Sequence, residues 1–95
     1  MTKIELIYFD GCPNASIARD RVRQALRAAG AGAEFAEWEQ NDPAAPPYAR
    51  EYGSPTVLVD GRDVTGLGPG VAASACRADG APAVETIRQA LRAGA

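Results

Sequence analysis

The chain has 95 residues, a net charge of −2 at pH 7 and no histidine. Its length predicts a single small domain over residues 1–95. The charge argues against a nucleic-acid partner, which requires a basic face. The absence of histidine excludes the Cys–His pair of cysteine hydrolases. A four-ligand zinc site is disfavoured because only two thiols are present.

The start of the chain predicts neither an export signal nor a membrane span. Met1-Thr2-Lys3 leads directly into a short strand that contains Glu5. We therefore expect a cytoplasmic protein without a membrane partner, as a monomer or weak dimer. A permanent disulfide is unusual in that compartment, so the two cysteines indicate redox chemistry, metal binding or packing.

The first predicted elements place Cys12 at the start of a helix. Residues 3–9 predict a strand, and their apolar side chains on both faces favour the middle of a sheet. Asp10-Gly11 ends the strand, and a helix follows from Pro13 to about Ala29. The helix N-terminus stabilises a thiolate at Cys12. Ala15 stands where a Cys-x-x-Cys motif would have its second cysteine.

The middle of the chain predicts one strand and a short helix. The first helix has an apolar face formed by Ala18, Val22, Ala25, Leu26 and Ala29. Residues 33–39 predict a more polar strand, near an edge of the sheet. Asn41-Asp42-Pro43 predicts the cap of a second helix, which Pro46-Pro47 interrupts, so that Tyr48–Tyr52 forms the remaining turn.

The second half predicts a hairpin and a closing helix. Ser54-Pro55 precedes a strand over 56–59, and Asp60-Gly61 is a typical two-residue turn into a strand over 62–65. We interpret the glycine-rich loop 66–70 as a flexible rim near the thiol. Residues 72–77 form a short helix or a loop, and residues 83–93 a final helix. The order β-α-β-α-β-β-α predicts an α/β fold, a four-stranded mixed sheet with helices on both faces.

This order and its motifs resemble the thioredoxin fold in its minimal, glutaredoxin-sized form. A cysteine follows the first strand, Tyr52-Gly53 precedes Pro55-Thr56, and Val59-Asp60-Gly61 forms the hairpin. The chain is also similar to small bacterial proteins with a Tyr-Phe-x-Gly-Cys-Pro-Asn opening, a Gly-Ser-Pro-Thr segment and a later cysteine. Many of these are described only as thioredoxin-like, and some are named after organomercury lyases.

The resemblance implies roles for individual residues. Cys12 corresponds to the attacking thiol of thioredoxin-like proteins, and Pro55 to a cis-proline that faces it. The backbone of Ser54 would pair with an extended substrate or with glutathione. Ala15 occupies the place of the resolving cysteine, which excludes a two-cysteine cycle within the motif. The implied substrate-binding residues are Pro13, Asn14, Ser54, Pro55 and Thr56.

Three functions stay open at this point. In the first, a thiol-disulfide oxidoreductase, Cys12 attacks a protein disulfide or a glutathione adduct, and Cys76 or an external thiol resolves the product. This function needs no resident cofactor, and glutathione is a possible co-substrate. In the second, Cys12 and Cys76 bind a soft ion such as Hg(II) or Cu(I). The third is a non-catalytic thioredoxin-like interaction domain.

Two candidate residues have simpler interpretations. Cys76 is either a functional partner of Cys12 or a small buried residue, which is a common position for a free cysteine. Asp10 is either a proton shuttle or metal-assisting carboxylate beside Cys12, or a residue that forms a turn before glycine. The turn is the favoured interpretation for Asp10.

Overall fold

A computed structural model describes residues 2–30, 34–70 and 75–93 of the chain. None of the described helices is long and apolar enough to cross a membrane. The predicted strands and the first and last helices are confirmed in their order, with identical bounds for the strand 56–59 and shorter bounds for the other elements. The elements are β1 Ile4–Tyr8, α1 Asn14–Ala28, β2 Ala36–Glu39, a 3-10 helix Pro47–Glu51, β3 Thr56–Val59, β4 Arg62–Asp63 and α2 Val84–Ala93.

The strands form one mixed sheet in the order β2-β1-β3-β4. β1 is parallel to β2 and antiparallel to β3, and β3 is antiparallel to β4. The predicted α/β fold with a four-stranded mixed sheet is therefore confirmed, with β1 inside the sheet and β2 at an edge. Asp60 and Gly61 have φ angles of 51° and 81°, as a tight hairpin turn requires.

Buried apolar side chains form two clusters that pack against the sheet. Successive residues of a strand point to opposite faces, so neighbouring strand residues belong to different clusters. The 3-10 helix contributes Ala49 to the smaller cluster, and both α-helices contribute to the larger one. The smaller cluster contains Ile7, Ala49, Tyr52 and Leu58. The larger contains Ile4, Leu6, Ala18, Val22, Ala25, Leu26, Val57, Val59, Ile87 and Leu91.

Three local expectations need correction or restriction. Ala29 is exposed, because it follows the end of α1 and its N–H closes the last turn on Ala25. No helix begins at Pro43: Asp42 accepts hydrogen bonds from the next turn, and helical structure starts at Pro47. Of the segment 72–77, residues 72–74 lie outside the described residues. Residues 75–77 are extended rather than helical, because they pair with Ser54.

Leu26 tests the packing of the larger cluster. Its side chain is fully buried, whereas Leu67 is 49% exposed. We expect Leu26→Ala to lower the free energy of unfolding by about 2–5 kcal/mol, because it leaves a cavity in the core. The matched change Leu67→Ala should alter it by less than about 0.5 kcal/mol. Urea denaturation measures both values, and equal losses in the two variants would contradict this packing.

Candidate functional site

Cys12 lies in the connection between β1 and α1. The connection turns at Gly11, whose φ of 91° is accessible to glycine at low cost. The Cys12 N–H donates to the carbonyl of Phe9 at 3.2 Å, and its carbonyl accepts from the N–H of Ala15 at 3.1 Å. Pro13, predicted as the first helical residue, is the N-cap of α1 with helical backbone angles, one position before the helix begins at Asn14. These bonds fix Cys12 before the helix with only 6% of its surface exposed.

Ser54 contacts Cys12 from the other side. The Ser54–Pro55 peptide bond is cis, which confirms the isomer implied by the resemblance. The Ser54 hydroxyl accepts a hydrogen bond from the N–H of Phe9 at 3.2 Å. The Ser54 carbonyl accepts from the Cys12 thiol at a sulfur–oxygen distance of 3.8 Å. Ser54 is completely buried, so these contacts tie the end of β1 to the start of β3.

The backbone of Ser54 also positions Cys76. The Ser54 N–H donates to the carbonyl of Ala75 at 2.8 Å, and its carbonyl accepts from the N–H of Arg77 at 2.7 Å. These two bonds form a short parallel bridge between Ser54 and Cys76. While this bridge is intact, an extended substrate cannot use the same two hydrogen bonds of Ser54.

The two sulfur atoms are in direct contact. Sγ of Cys12 and Sγ of Cys76 lie 2.9 Å apart, although the residues are 64 positions apart in the chain. Both cysteines are free thiols, Cys12 buried and Cys76 exposed. The distance is shorter than the roughly 3.5 Å at which two carbon atoms pack. It exceeds the length of a disulfide bond by only about 0.9 Å.

The contact shifts the two thiol pKa values in opposite directions. Burial raises the pKa of Cys12, but hydrogen bonds from Cys76, from the Ser54 side chain and from two backbone N–H groups at the start of α1 outweigh burial and lower it. The pKa of Cys76 is raised because its thiol donates to Cys12, with smaller effects of desolvation and of the Cys12 charge. Cys12 therefore loses its proton at a lower pH than Cys76 does.

Arg77 anchors the segment that contains Cys76. Its side chain is 4% exposed. Nε donates to Asp79 at 2.9 Å, and Nη2 donates to Asp79 at 2.7 Å and to Thr65 at 2.8 Å. Nη1 donates to Asp63 at 3.0 Å and to Thr56 at 3.2 Å. All five N–H donors of the guanidinium group therefore have acceptors, and the neighbouring cysteine is fixed next to them.

Asp63 is the buried acceptor in this network. Its side chain is 1% exposed, and it accepts hydrogen bonds from Thr65 and Gly68 as well as from Arg77. The loop 66–70 is tied down further by the N–H of Gly70, which donates to Glu51 at 2.7 Å. The loop predicted as a rim near the thiol is thus joined to β4 and to the 3-10 helix. Asp63 and Arg77 are the two residues that the sequence interpretation missed.

The remaining candidate residues lie around the thiol pair in different environments. Pro13 is exposed, and Asn14 is half-buried at the start of α1. Pro55 and Thr56 are buried, and the Thr56 hydroxyl donates to the carbonyl of Gly53 at 2.6 Å. Asp10 is exposed in the turn after β1, which supports its interpretation as a turn residue.

Comparison with known proteins returned no match among family models, curated proteins or solved structures. Within the described residues, no group of three or more histidine, cysteine or acidic side chains is arranged to hold a metal ion. The groups that the fold brings together are the Cys12 and Cys76 thiols and the Ser54 backbone, with Arg77 as their anchor.

Replacing Arg77 tests the anchor. We expect Arg77→Met to lower the free energy of unfolding by about 3–5 kcal/mol, because it leaves the buried Asp63 carboxylate unpaired. Arg77→Lys keeps the charge but loses the planar guanidinium group, so its free energy of unfolding should lie between those of Arg77→Met and the unchanged protein. The matched control is Arg92→Met, because the Arg92–Glu85 pair is exposed and worth less than about 1 kcal/mol. Equal urea midpoints for Arg77→Met and Arg92→Met would contradict the role of Arg77.

The thiol pair makes a prediction about titration. In the reduced protein, thiolate absorbance should rise in two steps, one below and one above the ordinary cysteine pKa of about 8.5. Cys76→Ala should raise the pKa of Cys12, because a hydrogen-bond donor to the thiolate is lost. Cys12→Ala should lower the pKa of Cys76, because its acceptor and the nearby charge are lost. The double alanine variant has neither thiol, so it gives the absorbance of ionising tyrosines that must be subtracted. A single titration step near the ordinary cysteine pKa would contradict the pairing.

Proposed function

We propose that this protein is a thiol-disulfide redox protein in which Cys12 and Cys76 alternate between a dithiol and a disulfide. The observation that carries the proposal is the 2.9 Å contact between their sulfur atoms. A thiolate is the reactive form in disulfide exchange, and the neighbours of Cys12 lower its pKa, which favours its thiolate. Cys76 lies close enough to complete an intramolecular disulfide without a large movement of the chain.

The architecture supports a thioredoxin-like assignment. The sheet order β2-β1-β3-β4, with one parallel and two antiparallel neighbours, agrees with the glutaredoxin-sized fold that the motifs resemble. The cis bond before Pro55 and the position of Cys12 before α1 agree with it as well. In this proposal the α-helices and the 3-10 helix cover opposite faces of the sheet.

The position of Cys76 gives the site a second thiol outside the first helix. Ala15 leaves the helix itself without one. A residue distant in sequence supplies the second sulfur through the bridge at Ser54. Resolution within the pair is favoured over resolution by an external thiol, because the two sulfurs are already in contact and no encounter with another molecule is needed.

The sulfur spacing favours this function over soft-metal binding. Metal–sulfur bonds of the length that zinc makes, about 2.3 Å, would separate two linearly opposed sulfurs by about 4.6 Å. The observed 2.9 Å is much closer to a covalent disulfide. A purely non-catalytic interaction domain, for its part, does not require two sulfur atoms in contact.

Oxidation of the protein tests the proposal. Incubation of the native protein with glutathione disulfide should give an intramolecular bond between Cys12 and Cys76, identified by peptide mass spectrometry after alkylation. Cys12→Ser and Cys76→Ser should instead stop at glutathione adducts, because each variant lacks the second sulfur. Treatment of the oxidised native protein with a reducing dithiol should then restore both thiols completely. Failure of the native protein to form the Cys12–Cys76 bond would contradict the redox function and leave a non-catalytic domain.

A further inference from the structure

The two sulfur atoms of the pair differ in their access to other molecules. Cys12 is 6% exposed, with Ser54 and Cys76 against its thiol. Cys76 is exposed. An external thiol or disulfide in the solvent can therefore reach the Cys76 sulfur directly. The competing route is a recess of about 200 Å³ that reaches Cys12 and is lined by Asp10, Pro13 and Arg19 among other residues.

The two sulfurs also differ as leaving groups. When a disulfide is attacked at one sulfur, the other sulfur departs as a thiolate, and a thiol of lower pKa departs faster. The pKa of Cys12 is lowered by hydrogen bonds that include the N–H groups of Asn14 and Ala15 at the start of α1. Attack at Cys76 therefore releases the Cys12 thiolate into a site whose backbone N–H groups stabilise it.

We propose that Cys76, not Cys12, is the sulfur that forms the mixed disulfide with the external partner, and that Cys12 is the buried thiolate that resolves it. This assignment rests on the proposed redox function and fixes the direction of exchange within the pair. It reverses the roles that the resemblance implied, in which Cys12 makes the first attack.

The reduction of an external disulfide then follows a balanced sequence. Cys76 passes its proton to the Cys12 thiolate across the 2.9 Å contact and attacks one sulfur of the external disulfide. The external sulfur–sulfur bond breaks, and the departing thiolate takes up that proton to become a thiol. The Cys12 thiolate attacks Sγ of Cys76, forms the internal disulfide and releases the second external thiolate. The two protein sulfurs are oxidised, and the external disulfide is reduced to one thiol and one thiolate, which takes up a proton from the solvent.

The Ser54 bridge restricts how the partner docks. Both backbone hydrogen-bonding groups of Ser54 are engaged by Ala75 and Arg77. A partner can therefore reach Cys76 without adding a strand at Ser54. A low-molecular-weight disulfide meets this requirement, and glutathione disulfide and glutathione serve as its probes.

Trapping the intermediate tests the assignment. The native protein is first oxidised to the internal disulfide, treated briefly with excess glutathione, quenched in acid and alkylated. Peptide mass spectrometry then locates glutathione and the alkyl group. We expect glutathione on Cys76 and alkylation of Cys12, with an excess of about tenfold or more over the opposite arrangement. The same reaction in concentrated urea is the control, and there the preference should largely disappear because both sulfurs are exposed.

The possible outcomes separate this assignment from the redox function itself. Glutathione mainly on Cys12 would overturn the assignment, because it would show entry through the recess, but would leave the redox pair intact. Equal preferences in native and denatured protein would also overturn it. If the internal disulfide never forms, the redox function fails and the assignment fails with it. Cys12→Ser gives a second measurement: it should form a lasting glutathione adduct faster than Cys76→Ser does.

Discussion

The pairing of the Ser54 backbone with residues 75–77 is the interaction on which the site depends. Through its hydroxyl and carbonyl groups, Ser54 also contacts Phe9 and Cys12 in the connection between β1 and α1. One buried residue therefore sets the position of both sulfurs. If the pairing opened, Cys76 would leave Cys12, and the hydrogen bond that lowers the pKa of Cys12 would be lost with it.

The Arg77 network makes that pairing hard to open. A buried ion pair adds little net stability, since the cost of removing two charges from water offsets their attraction. Movement of the segment is nevertheless costly, because it would leave the Asp63 carboxylate buried without its cation. The ion pair of Arg77 and Asp63 therefore serves mainly to hold this segment in place. It holds an exposed, reactive cysteine on a segment that, among the described residues, is joined to the sheet region by the short bridge to Ser54.

Local patterns in the sequence were sufficient for most of the framework. β1, both α-helices and the Asp60-Gly61 turn were predicted because apolar periodicity and turn residues act over a few neighbouring positions. The second helix was predicted to begin at Pro43, where Asp42 instead forms a turn, but the turn predicted to remain at Tyr48–Tyr52 is present within one residue as the 3-10 helix. Cys12 was identified as a thiol at a helix start, but the contribution of Cys76 to its pKa was not foreseen.

The missing part of the site is non-local. Residues 75–77 have no alternating apolar pattern, so nothing in their sequence indicated pairing with Ser54. Arg77 resembled any loop arginine, because its burial depends on Asp63 and Thr56 from another part of the chain. The sequence therefore left the contact between Cys12 and Cys76 as one of several alternatives.

The most direct test of this account is the equilibrium between the Cys12–Cys76 pair and a glutathione redox buffer. This measurement gives the effective concentration of one protein thiol towards the other. Two thiols joined only by a flexible chain would give a value in the ~mM range. The account predicts a far higher value in the folded protein, which falls towards that range in urea. Equal values in folded and unfolded protein, or glutathione adducts in place of the internal disulfide, would contradict it.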